Sequence, residues 1–90
     1  MNPVSREKII VIVGWVAAGL AVLLFVSFVD QIRLNLGGNK GSVLLPLAAF
    51  FNCSAWVLYG SLKTPKDFPV ILPNAIGVAL SVATVLTAVF

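Results

Sequence analysis

Asn52, Trp56, Tyr59 and Lys63 follow one another at intervals of three or four residues, with Ala49 one step before them. At helical period this places an amide, an indole, a phenol and an ammonium on one face of a single helix. Asn74, Gly77, Ser81 and Thr84 form a second line with smaller groups. Both lines run through surroundings that are mainly Leu, Val, Ala and Phe. A buried amide there is costly unless it meets a partner or water. Two such lines facing each other would border a polar cavity. The chemistry they offer is recognition: an indole stacks on the apolar C–H face of a sugar ring, and an amide both donates to and accepts from hydroxyls. Other roles stay open. Trp56 also suits an interfacial aromatic belt. Asn74 also suits a helix–helix hydrogen bond or a partner for backbone freed by Pro73. Trp15 lies on no comparable line and reads as a belt or packing residue.

These residues belong to elements that the composition defines. Three apolar runs, Ile9–Val29, Val43–Tyr59 and Phe68–Phe90, hold nearly all of the 60% hydrophobic residues. Each approaches or exceeds the roughly 17–25 residues that a helix needs to cross a bilayer. With 10% charged residues and a mean hydropathy of +1.08, 90 residues cannot hide that surface in one soluble core. Backbone polar groups in hydrocarbon must pair internally, so the runs are helices; a β-barrel would need alternation and more segments. The expected architecture is a single all-α transmembrane domain over 1–90, with helices near 7–35, 43–62 and 68–90.

Local signals refine these bounds. Gly14, Ala18 and Ala21, with Ala17 beside them, are small residues at a spacing that permits close helix approach, although such residues are common in membrane helices anyway. Gly37-Gly38 suits the end of the first helix. Ser42 is the expected N-cap of the second, with Pro46 in its first turn, and Asp67 is the expected cap of the third. Pro73 then falls about one turn inside, where it removes a hydrogen bond and can kink the helix. Because the second and third helices are antiparallel, Trp56 and Asn74 lie roughly 6 and 9 Å from the same boundary, at 1.5 Å per residue. They can meet at one level.

Several function classes drop out. The net charge of +3 comes from Arg6, Lys8, Arg33, Lys40, Lys63 and Lys66, which flank the apolar runs. That is headgroup anchoring, and no nucleic-acid partner is expected. The chain has no His, and no Cys, Asp and Glu cluster at ligand spacing, so neither a metal nor a cofactor is expected. No phosphate loop and no nucleophile–base set occurs, and no enzyme is expected. The first run is too long for a signal-peptide core. Cys53 is single, so an intrachain disulfide is impossible.

The segment Trp56-Val57-Leu58-Tyr59-Gly60-Ser61-Leu62-Lys63 resembles the W-x-x-Y-G-x-x-[RK] end of the second helix in bacterial SemiSWEET sugar transporters. Asp67 through Ile71 to Asn74 is similar to the D-x-x-x-[IL]-x-x-N opening of their third helix, and Gly41-Ser42 falls at the entry to the second. The resemblance spans nearly the whole chain; its specific part is the tryptophan–asparagine pair. It implies a parallel homodimer in the inner (plasma) membrane, each three-helix bundle being half of a SWEET-type pore. It assigns a substrate role to Trp56 and Asn74, which Asn52 joins from the same line. Tyr59, Lys63 and Asp67 match gate positions. Gln31 matches one member of a Pro-Gln hinge pair, but Asp30 stands where the proline would be; Pro46 and Pro73 complete the candidate hinge set. The connection before Asp67 is longer than in relatives. Relatives carry the N-terminus outside, whereas counting cations favours the reverse.

The expected function is facilitated transport of a mono- or disaccharide by alternating access, with two Trp56 rings sandwiching the sugar and two Asn74 amides bonding its hydroxyls. No carboxylate lies deep in any run, which favours a uniporter over a proton-coupled pump; Asp30 sits just beyond the first run. The alternative is a pore-forming or scaffolding small membrane protein, holin-like or a complex subunit. Size and composition suit it equally, but lesion-forming helices need no paired binding groups. A multidrug exporter would want an embedded glutamate, and the only one is Glu7.

Overall fold

The computed structural model describes residues 2–90. It contains α1 (Pro3–Leu36), α2 (Leu44–Leu62) and α3 (Phe68–Val89). All three are long and apolar enough to cross a membrane. At 1.5 Å per residue, α2 and α3 are about 28 and 33 Å long, close to the hydrocarbon thickness of roughly 30 Å. The longer α1 overhangs that thickness at its ends.

Helix ends differ from the sequence expectation in three places, each for a local reason. α1 starts at Pro3 rather than near residue 7, because the Asn2 side chain accepts from the Ser5 N–H at 2.8 Å and Pro3 needs no donor partner there. At the start of α2, Val43 occupies the cap position, in helical conformation, instead of Ser42. The Ser42 hydroxyl still accepts from the Leu45 N–H at 3.3 Å, from one residue further out. Asp67 stands before α3 but its side chain does not cap it. Its carboxylate instead takes Lys63 Nζ at 3.4 Å, and its backbone carbonyl accepts from the N–H groups of Val70 and Ile71. α1 stops where glycine permits a reversal: Gly38 has φ +93°, and Gly38 and Asn39 donate to the carbonyls of Asn35 and Leu34.

Chain order is not spatial order. α3 packs against both α1 and α2, and among the described residues α1 and α2 do not pack on each other. The helices therefore form one layer, α1–α3–α2, in a body of 54 × 22 × 15 Å. Pro73, Gly77, Ser81, Thr84 and Ala88 make the buried line of the central helix, at steps of three and four. The buried residues of the flanking helices are Ala18, Phe25 and Asn35 in α1 and Pro46, Cys53 and Gly60 in α2, Gly60 lying over Asp67, Val70 and Ile71 at the start of α3. Gly77 is the tightest crossing. A Cβ there would lie 2.6 Å from Cys53 Sγ and 3.0 Å from the Phe25 ring, so only hydrogen fits between the neighbours. Outside this seam the surface is apolar, as lipid requires: Ile9 to Val13, Leu20, Leu23 and Leu24 are all exposed.

Candidate functional site

The crossing at Gly77 fixes the register of the site. Trp56 lies three residues after Cys53, and Asn74 three before Gly77, in antiparallel helices. Both therefore stand about 4.5 Å from that crossing, towards the α2–α3 connection. Both line a cavity of about 670 Å3 that extends from this level to the connection itself. Its size falls within the roughly 300–1,000 Å3 of small-molecule sites. Asn52 and Trp56 supply the α2 wall, with Pro73 and Asn74 of α3 opposite. The α1 wall is made of small residues, Gly14, Ala17, Ala18 and Ala21, with Trp15 beside them. A Cβ added at Gly14 would lie 3.8 Å from the Pro69 ring, which sets this wall against the start of α3.

Side-chain bonding shows what is left for a ligand. Trp56 is about half exposed, and Tyr59 packs edge-on against it, 5.5 Å between centroids at 90°. That geometry fixes the indole plane and leaves ring surface free. Tyr59 does not itself line the cavity. Asn74 donates one amide hydrogen to the Val70 carbonyl at 2.7 Å. The carbonyl that Pro73 frees is that of Pro69, four residues back, so this bond is not its rescue. An amide carries two donors and an acceptor with two lone pairs, which leaves Asn74 capacity to spare. Asn52 is exposed on the cavity side of α2.

The second polar line divides. Asn74 reaches the cavity, whereas Gly77, Ser81 and Thr84 are buried in the helix seam. Ser81 donates to the Val78 carbonyl at 3.0 Å and Thr84 to the Leu80 carbonyl at 2.7 Å. Hydroxyls satisfied by their own helix can be packed dry. Of the gate candidates, Lys63 and Asp67 lie where the cavity reaches the connection and are paired within one protomer.

Gln31 and Pro46 are at the opposite end, away from the cavity. There Asn35, which no sequence motif singles out, organises the structure. Asn35 is 2% exposed and uses its whole amide. Its Oδ1 accepts from Gln31 Nε2 at 2.8 Å and the Gly41 N–H at 2.9 Å. Its Nδ2 donates to the Thr84 carbonyl at 3.3 Å and Thr87 Oγ1 at 3.1 Å. Lys40 Nζ adds a bond to the Thr87 carbonyl at 3.1 Å. One side chain thus ties the end of α1, the following loop and the end of α3. The i,i+4 spacing of Gln31 and Asn35 was its only signal. Asp30 lies on the outside of this end, 2.9 Å from the Arg33 guanidinium, with both side chains about two-thirds exposed.

Three helices long and apolar enough to cross a bilayer make this an integral, multi-pass membrane protein. Residues 10–90 match the model of a family described as sugar efflux transporters for intercellular exchange. The chain belongs to that family, in agreement with its resemblance to the SemiSWEETs. No solved structure gives a significant match.

Proposed function

We propose that the protein carries a mono- or disaccharide across the plasma membrane by facilitated diffusion, as a parallel homodimer working by alternating access. The observation that carries the reading is the shared level of Trp56 and Asn74 in one cavity. An indole face and an amide with free capacity at equal depth are complementary to a hydroxylated ring. Asn52 adds hydrogen-bonding capacity from the same wall.

The flat layer supports a second copy. A bundle 15 Å thick leaves Asn52 and Trp56 uncovered on a membrane span. An amide facing hydrocarbon is costly, and a two-fold partner presenting the same face removes that cost while closing the cavity. In this reading the cavity opens by the α2–α3 connection, where Lys63 and Asp67 of each protomer, with Tyr59, form the gate. The Asn35 cluster holds the other end together. Gln31, Pro46 and Pro73 are the places where the helices yield as the halves rock. The protein acts as a transporter and not as an enzyme.

The test is uptake of labelled sugars into liposomes carrying the purified protein. Trp56→Ala and Asn74→Ala should each abolish most uptake while insertion and assembly persist. Loss of a stacking ring or a buried amide costs about 1–3 kcal/mol of binding, and both subunits lose it together. Near-normal uptake by both variants would sink the assignment.

A further inference from the structure

The cavity contains a second indole that the pairing of Trp56 with Asn74 does not use. Trp15 lines the same space from α1 and is 49% exposed. Its depth follows from two close approaches. Counted from that of Phe25 to Gly77, Trp15 is ten residues along α1; counted from that of Gly14 to Pro69, it is one residue inward. The two counts place it about 6 to 10 Å from the Asn74 level, towards the α2–α3 connection. Between the two levels the α1 wall offers Ala18 and Ala21, with nothing larger than a methyl group.

We propose that the cavity is a two-ring site, with Trp15 as an outer stacking surface one ring beyond Trp56 and Asn74, which makes a disaccharide the fitted substrate. The inference rests on the sugar-transport reading and deepens it. Two aromatic faces separated by a smooth wall match two linked rings, each with an apolar C–H face. Lys66 and Asp67 line the same outer portion and supply a donor and an acceptor for hydroxyls of the second ring. At that height Trp15 lies close to the membrane boundary, where an aromatic belt also sits, so the response to sugars is what separates the two roles.

The chain has only two tryptophans, so each can be observed alone. In Trp56→Phe the emission is that of Trp15, and in Trp15→Phe it is that of Trp56; a ring remains at both levels in each variant. Sucrose and maltose should shift the emission of both indoles, whereas glucose should shift that of Trp56 only. A response of Trp56 to all three sugars with silence at Trp15 overturns the two-ring site and leaves the transport reading standing. An equal response of Trp15 to glucose also overturns it. Silence of both indoles towards every sugar, with no uptake by the unaltered protein, overturns the transport reading and this one together. Uptake kinetics give a second readout. Trp15→Ala should lower the ratio of disaccharide to glucose kcat/KM about tenfold, the effect of one lost stacking contact. Trp15→Phe should restore most of that ratio. An equal fractional loss for both sugar sizes would assign Trp15 to anchoring or packing.

Discussion

Asn35→Ala is the perturbation that most directly probes how this thin layer holds together. The substitution deletes four hydrogen bonds, two accepted by Oδ1 and two donated by Nδ2, at 2.8 to 3.3 Å. The partners are not all stranded. Gln31 is half-buried and Gly41 exposed at the end of the bundle, so water can reach them. The Thr84 carbonyl keeps its bond from Thr87 Oγ1 at 3.1 Å. Net values therefore apply, about 0.5–1 kcal/mol for each bond in a membrane protein. The expected loss is about 2 to 4 kcal/mol. Asn35→Asp should lose at least as much, since it buries a carboxylate at a 2% exposed site and turns one of its oxygens towards the Thr84 carbonyl in place of a donor. The assay is reversible unfolding in mixed micelles at fixed protein concentration, because association would otherwise shift the midpoint. A change below about 0.5 kcal/mol for Asn35→Ala would refute the reasoning, as would Asn35→Asp proving clearly the milder of the two.

Gly77→Ala should destabilise by about 1–3 kcal/mol, since the new methyl would press on Cys53 Sγ and the Phe25 ring. Adding Cys53→Ala should recover at least half of that loss, and simple additivity in a double-mutant cycle would contradict the crossing described. Net uptake should stop at sugar equilibrium with or without a pH gradient, because no carboxylate other than Asp67, paired with Lys63, lines the cavity. Accumulation above equilibrium that disappears in Asp30→Asn would overturn this. A covalently linked tandem dimer should transport, and Trp56→Ala in one half should reduce its rate several-fold; full activity from a crosslinking-negative monomer would rule out the shared site.

Much of this arrangement can be read from spacing, and the exceptions have physical reasons. The common depth of Trp56 and Asn74 was accessible because a short connection forces α2 and α3 to be antiparallel, and residues can then be counted from one boundary. The α3 line was harder. Ser81 and Thr84 carry hydroxyls, which suggested a cavity wall, but a hydroxyl can bond the carbonyl three or four residues back and be buried dry. An asparagine amide has more groups than one helix turn can satisfy, which is why Asn74 and Asn35 report tertiary structure and the hydroxyls do not. Asn35 itself lay past the apolar run, in a stretch that reads as connection. The face on which Trp15 lies acquires its meaning only once α3 is placed between α1 and α2. No local signal encodes that order, because neighbours in sequence are usually neighbours in space.

That order also sets how the protein is made. Synthesis delivers α1 and then α2, which have no packing surface for each other, and supplies their common neighbour last. Until Phe68–Val89 has entered the bilayer, the Ala18, Phe25 and Cys53 surfaces can meet only lipid. The Asn35 Nδ2 group meanwhile waits at the membrane edge for Thr84 and Thr87. Insertion of the third helix is thus the step that commits the chain to its fold. A lesion within Phe68–Val89 would remove the middle of the structure and leave two spans that do not pack on each other. It would not merely trim an edge.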